Sequence, residues 1–346
     1  MTRRSRVLVV DDSTTVRAVL RRVLSADGDI EVVGESARGD HAVAAAAELE
    51  PDAIVMDLDL PGMDGLTASR EILRRRNTPI VVVTSADGAH RQRVAAAFKS
   101  IASSVVTVFG KPQVPEDWQP LGVILRETVR GLGQTGARAG RTAAGPDASR
   151  DIARRPVEII AVAASTGGPV ALREMLLAFQ RRCPAPIVIV QHIADGFECG
   201  LAEWLAAESG LEVEVAREGE RLDGGMVRLA PAGSHLRVAV GRVLRLDGAE
   251  PPVKSHRPSA TVLFRSLDWM TAHRVAGVIL TGMGDDGVAG LAELRQRGAL
   301  TFAQSEATCT LYGMPRAAFE RGAAEHVLAP AEIARAISRA SAGGDR

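Results

Sequence analysis

The chain has 346 residues, 46% hydrophobic and 24% charged, which is enough apolar material for two cores of ordinary size. Its 42 basic residues balance 42 acidic ones, so bulk charge draws it neither to nucleic acid nor to an anionic membrane surface. No apolar run approaches the roughly 18 residues of a membrane span, and "MTRRSRVLVV" passes straight into a strand pattern, so no membrane insertion is expected.

From Arg6 to about Gly131 the runs "RVLVV", "IEVVGE", "AIVMDL", "PIVVVT" and "VVTVFG" alternate with stretches of helical period. Five βα units follow, hence a doubly wound, flavodoxin-like parallel sheet with helices on both faces. Residues 132–155 are rich in Gly, Ala, Arg and small polar residues without hydrophobic period, and are expected to be a flexible linker between domains at 1–131 and 156–346. The alternation resumes with "VEIIAVAA", "APIVIVQH" and "LEVEVAR". An antiparallel hairpin is expected through "GMVRLAPAGSHLRVAVGRVLRLD", then a strand "VAGVILTG" ahead of a helix, which makes a second α/β domain with a mostly parallel sheet. The three cysteines, Cys183, Cys199 and Cys309, fit no zinc-site spacing and leave one over from any pair, so a reduced, cytoplasmic chain is expected.

In the first domain the polar residues of interest each fall at the carboxyl end of an expected strand: Asp11 and Asp12, Asp57, Thr84 and Lys111. That edge of an open parallel sheet is where ligands bind, so dispersed residues become one pocket. Three carboxylates meeting there repel unless a hard divalent cation sits among them, the oxygen-rich arrangement that Mg2+ prefers. A lysine and a hydroxyl beside them suit phosphoryl transfer. Taken alone, "DDS" reads equally as a helix cap.

Through "VDDS", "MDLDLPGMDG", "VTS" and "GKP" this domain resembles the response-regulator receiver family. The resemblance implies that Asp57 accepts a phosphoryl group, that Asp11, Asp12 and Asp57 hold Mg2+ with help from the Asp59 main chain, and that Thr84 and Lys111 contact the phosphoryl oxygens. Two features depart from the family. "AFKSIASSVVTVFGKP" lacks the usual small "GA" step, and the position of the switch aromatic, three before the lysine, is Val108, with Phe109 next to it.

In the second domain "IIAVAASTGGPVAL" ends a strand at Ser165 and opens a helix. A phosphate loop of the Walker type would need Lys-Ser or Lys-Thr after the glycines, and none is there. On this segment alone a helix cap is the plainer reading, since Ser and Thr cap well and Pro169 suits a first turn. A nucleophile needs a base within reach and a carboxylate behind the base. His192 closes "APIVIVQH" and the "DDG" of Asp285 to Gly287 follows "VAGVILTGMG", both at the sheet edge that carries Ser165. The Gly-rich turns add backbone N–H donors suited to an oxyanion.

The motifs "ASTGGPVAL", "QHIADGF", "LAPAGSHLRV", "HRPSATVLF", "ILTGMGDDGVAGL" and "GMPRAAF", behind a receiver, make the whole chain similar to the chemotaxis response-regulator protein-glutamate methylesterase family. The resemblance implies Ser165 as nucleophile, His192 as general base and then acid, and Asp286, directly before the glycine, as the orienting carboxylate. It also implies Met283 main chain at the oxyanion site and Thr166 beside the nucleophile. It implies further that methyl esters of glutamate on methyl-accepting chemotaxis receptors are hydrolysed to release methanol, that certain receptor glutamines are deamidated, and that a chemotaxis-type sensor histidine kinase is the phosphodonor. The receiver is expected to cover the active-site edge until Asp57 is phosphorylated. "QHIADGF", with Ala194 and Asp195, and "VAAS" depart from the commoner family residues and are expected to alter the rim of the site. His235, His256 and Arg257 lie in matching motifs without a catalytic role, His256 being read as a substrate-rim or structural residue.

Overall fold

The structure is a computed structural model that describes residues 3–85, 105–138 and 154–341, and its contacts divide the chain into Met1–Gly140 and Arg141–Arg346. In the first unit β1 (Ser5–Val10), β2 (Ile30–Ser36), β3 (Ala53–Met56), β4 (Ile80–Thr84) and β5 (Val105–Gly110) form a parallel sheet in the order β2-β1-β3-β4-β5. Between them run α1 (Thr14–Leu24), α2 (Gly39–Leu49) and α3 (Gly65–Arg75), and α4 (Trp118–Arg138) follows β5. Two helix starts are capped as their sequences direct: Ser13 Oγ accepts from the Val16 amide and an Asp64 oxygen from the Thr67 amide. Val7, Val9, Val55, Val81 and Val83 fill the core with Leu20, Leu24, Leu125 and Trp118. β-branched residues suit a strand buried on both faces, which explains why these runs were legible.

The helix α4 continues past Gly131 to Arg138, into the stretch expected as linker. Its Arg126 and Arg130 reach Asp27 and, for Arg130, Asp29. The crossover between β4 and β5, including the "AFKSIASS" departure, lies outside the described residues. At the switch position Val108 is buried, and Phe109 is half-buried against the core.

The second unit is built on a seven-stranded, wholly parallel sheet in the order β14-β13-β12-β6-β7-β9-β8. Its strands are β6 (Ile159–Ala164), β7 (Ile187–Gln191), β8 (Glu212–Val215), β9 (Met226–Leu229), β12 (Val275–Ile279), β13 (Leu300–Gln304) and β14 (His326–Leu328). A separate antiparallel pair, β10 (His235–Ala239) and β11 (Val243–Asp247), forms the hairpin. The helices are α5 (Gly168–Ala178), α6 (Glu198–Ser209), α7 (Ala260–Arg265), α8 (Val288–Gln296), α9 (Met314–Glu320) and α10 (Pro330–Ser341).

The expected hairpin is narrower than its sequence suggested. "MVRL" pairs in parallel with β7 and β8, and the Ala230 amide extends that ladder to the Ile189 carbonyl before the chain leaves the sheet. Its Arg228, polar by type, is buried because Glu212 and Glu220 both pair with it. Strands β13 and β14, short and partly polar, extend the sheet beyond the elements expected. Among the described residues no helix is long and apolar enough to cross a membrane. All three cysteines are free, and burial raises the thiol pKa of Cys183 to about 11.

Candidate active site

Parallel register carries three chain segments to one edge of the second sheet. Ala164 of β6 pairs with Gln191 of β7, and one step further the His192 amide donates to the Ala164 carbonyl at 2.9 Å. On the other side Ala163 pairs with Ile279 of β12, and the Ser165 amide donates to the Thr281 carbonyl at 3.0 Å. Ser165, His192 and the turn that leads to Asp286 therefore leave the sheet at one level, at its carboxyl edge. Gln191 clamps the first two, its Nε2 donating to the carbonyls of Ser165 at 2.9 Å and His192 at 2.8 Å.

Ser165 itself is half-buried. Close approach is possible because a Cβ on Gly282 would lie 2.6 Å from the Ser165 Cβ, so no other residue fits beside it. Gly167 caps α5 at φ +79°, and a side chain there would also strike Thr310 at 2.4 Å. Among the described residues the amides of Thr166, Gly167 and Met283 donate to no protein acceptor. Two N–H-bearing turns thus flank the serine, one at the start of α5 and one in Gly282 to Gly287. Thr166 is buried, and its carbonyl accepts from Thr281 Oγ1. No hydrogen bond joins its side chain to His192 among the described residues.

Asp286 is 1% exposed and surrounded by donors. Its Oδ1 accepts from Ser259 Oγ at 2.7 Å, Thr261 Oγ1 at 2.9 Å, the Thr261 amide at 3.2 Å and the Gly287 amide at 2.9 Å. Its Oδ2 accepts from the Ala260 amide at 2.7 Å and lies 3.0 Å from His192 Nε2. Burial works against the charge, yet the His192 ring and the Ser259 and Ala260 donors outweigh it and hold the carboxyl far below its ordinary range. An ionised carboxylate only accepts, so His192 carries its proton on Nε2. The Nδ1 of that ring is buried and has no partner among the described residues.

The neighbouring Asp285 is engaged elsewhere, 2.7 Å from both Lys254 Nζ and Arg321 Nη1. His235 is buried and structural: its Nδ1 accepts from the Ser259 amide and its Nε2–H donates to the Pro251 carbonyl. Arg257 donates to the carbonyls of Gly248 and Glu250. His256 stacks on His192, with ring centroids 3.9 Å apart and planes within 2°. Burial, and then the neighbouring His192, push its pKa down to about 4.

Sequence reasoning missed Ser259, Thr261 and Gln191. The first two had a signal: in "RPSATVLF" two hydroxyl residues stand at the cap and first turn of an apolar helix, and a buried carboxylate needs such donors.

In the first unit, register again assembles the pocket. Val10 pairs with Met56, which sets Asp11 and Asp57 side by side, and the Lys111 amide donates to the Thr84 carbonyl. Carboxylate oxygens of Asp11, Asp12 and Asp57 lie within 4.8 Å of one another. Lys111 Nζ is 2.6 Å from Asp57 Oδ2 and 2.8 Å from Asp11 Oδ2. Burial lowers the Lys111 pKa, but hydrogen bonds to the two acids outweigh it and hold the ammonium above its ordinary value. Burial raises Asp11 despite Lys111. The Asp59 amide donates to Asp57 Oδ1 at 3.2 Å. Among the described residues Thr84 Oγ1 is buried without a hydrogen-bond partner, and Asp11 Oδ2 is met by the Lys111 ammonium alone. A hard cation and a tetrahedral anion would satisfy these atoms, so the residues fit Mg2+ and a phosphoryl group.

A family model for CheB methylesterase matches residues 160–337, and one for the response regulator receiver domain matches residues 7–115. The chain is 42% identical over 339 residues to protein-glutamate methylesterase/protein-glutamine glutaminase 2 of Anaeromyxobacter dehalogenans, covering 96% of each. It is 40% identical over 348 residues to the protein-glutamate methylesterase/protein-glutamine glutaminase of Agrobacterium fabrum, covering 96% of this chain and 95% of that one. The Thermotoga maritima CheB methylesterase catalytic domain aligns at 34% identity and a TM-score of 0.49, covering 53% of this chain and 98% of that one. The chain belongs to the CheB methylesterase family, with a response-regulator receiver domain ahead of the methylesterase domain.

Proposed function

We propose that this protein is a phosphorylation-regulated serine hydrolase that removes methyl groups from glutamate γ-esters of methyl-accepting chemotaxis receptors, releases methanol, and deamidates specific receptor glutamines. It would work in the cytoplasm on the receptors' soluble segments, serving adaptation, and take its phosphoryl group from a chemotaxis-type histidine kinase. Its three parts would be the receiver to 131, a linker at 132–155 and the esterase from 156. One observation carries the chemistry: His192 is bonded to Asp286 through Nε2, and its buried Nδ1, at the edge that carries Ser165, has no partner among the described residues.

In this reading Ser165 Oγ attacks the γ-carbonyl carbon while its proton passes to His192 Nδ1. The imidazolium is stabilised by Asp286, and the amides of Thr166 and Met283 are available to the oxyanion. Collapse breaks the bond to the methoxy group, which leaves as methanol with the proton from His192. Water then gives a proton to His192 and its hydroxide to the acyl carbon, and release of glutamate returns the proton to Ser165. With an amide substrate the same steps release ammonia.

In the receiver, Asp11, Asp12 and Asp57, with the Asp59 main chain, would hold Mg2+. When bound, that ion neutralises the carboxylates and the phosphoryl oxygens. Asp57 accepts the phosphoryl group, Lys111 balances its charge, and the unpaired Thr84 hydroxyl donates to it. The test is methanol release from methylated receptor with and without a small phosphodonor. Stimulation is expected in the parent and lost in Asp57→Asn, and stimulation that survives the substitution would end the regulatory reading.

A further inference from the structure

A histidine held by one hydrogen bond is oriented poorly, because rotation about its terminal torsion is soft. Among the described residues His192 has only the Asp286 contact on its ring nitrogens, yet a base must keep its second nitrogen aimed within narrow limits. The missing constraint lies on the face of the ring, where His256 stacks with centroids 3.9 Å apart and planes within 2°.

The segment that delivers His256 is unusual in its backbone. Val253 and His256 exchange both backbone hydrogen bonds at 3.0 Å, closing a two-residue turn on Lys254 at φ 50° and Ser255 at φ 65°. Two consecutive left-handed residues are the province of Asn-Gly, so a Lys-Ser pair here is held against its own preference. The holding contact is Lys254 Nζ on Asp285 Oδ2 at 2.7 Å, and Asp285 is the residue before Asp286. The turn is thus anchored to the same loop that carries the carboxylate behind His192.

We infer that His256 is a positioning residue, its ring a flat platform that fixes the plane of His192, and that the strained Val253 to His256 turn, tied to Asp285, sets that platform. The inference rests on the triad reading above. Facing His256 are His192, Asp286 and Asp285, and its burial keeps His256 neutral, so it neither competes for the serine proton nor repels the imidazolium.

The experiment compares full-length parent, His256→Ala, His256→Leu and His256→Phe, with Ser165→Ala as the zero, in steady-state methanol release from methylated receptor. Leu keeps buried volume without a flat face, so it asks the same question if the Ala variant does not fold. Ala and Leu are expected to lower kcat on the order of 10- to 100-fold with KM nearly unchanged, and Phe to stay within about threefold of the parent. Unchanged kcat in Ala and Leu overturns the inference. So does Phe as slow as Ala, which would mean the ring nitrogens act, or a change confined to KM, which would make His256 a substrate-rim residue. A parent that releases no methanol refutes the triad reading instead. The platform is then judged by the NMR signal of the His192 ring in histidine-labelled protein. Stacking shifts that signal upfield in the parent and in Phe but not in Ala or Leu, and equal shifts in all four overturn it.

Discussion

His192 Nε2 lies 3.0 Å from Asp286 Oδ2, while the Nδ1 of the same ring is buried with no partner among the described residues. In the proposed triad the two nitrogens would exchange the roles they hold in the chymotrypsin-type triad, where the carboxylate takes Nδ1. The arrangement follows from register: the His192 backbone is pinned beside Ser165 by β6 and β7, and Asp286 enters from the turn after β12.

Asp286→Asn tests that bond with little change of shape. The donors around Oδ1 favour the amide oxygen there, which turns the amide NH2 towards His192 and favours the tautomer with the proton on Nδ1. The base is then lost, and kcat is expected to fall on the order of 10⁴-fold at nearly constant KM. A fall of less than about tenfold in methanol release would show that Asp286 does not set the tautomer.

The lowered pKa of His256 has a consequence for stability. Its folded value of about 4 lies below the ordinary 6.5, so the unfolded chain binds more protons between those values. Stability is therefore full above about pH 6.5 and declines as pH falls towards 4, by on the order of 2–3 kcal/mol for this group. Denaturant titrations at several pH values are expected to show a smaller acid loss in His256→Phe than in the parent. Identical slopes would place the titration elsewhere. Asp286, depressed, loses its contribution only below the ordinary carboxylate range.

Gly167→Ala tests the turn beside Ser165. Its φ of +79° and the 2.4 Å approach to Thr310 leave no room for a methyl group. Loss of about 1–3 kcal/mol is expected in the unfolding free energy, with a kcat loss larger than the KM change. A variant as stable and active as the parent would show that the turn relaxes freely.

Metal removal separates the two units. Chelation of divalent ions is expected to abolish labelling of Asp57 by a phosphodonor, because Asp11, Asp12 and Asp57 then face one another with only Lys111 between them. Basal methanol release is expected to continue. Labelling that survives chelation would remove the metal from the reading of the pocket.

Much of this was legible in the sequence for one reason. Parallel strands buried on both faces write themselves as Val and Ile runs, and the candidate site residues sit where those runs stop: Asp11, Asp57, Thr84, Ser165 and His192. What was not legible depends on tertiary partners. "MVRL" carries an arginine that reads as a solvent-facing hairpin position until Glu212 and Glu220 neutralise it. "LTFAQ" and "HVL" are too short and polar to stand out, and only pairing with β12 and with each other makes them strands. Ser259 and Thr261 bond Asp286 across more than twenty positions of chain, and the stacking of His256 on His192 has no local signature at all.

The most direct measurement is methanol release from methyl-labelled receptor by the full-length protein beside Ser165→Ala. The parent is expected to release labelled methanol and Ser165→Ala to release none above background. Equal release by both, or none by the parent, would contradict a serine esterase at this site.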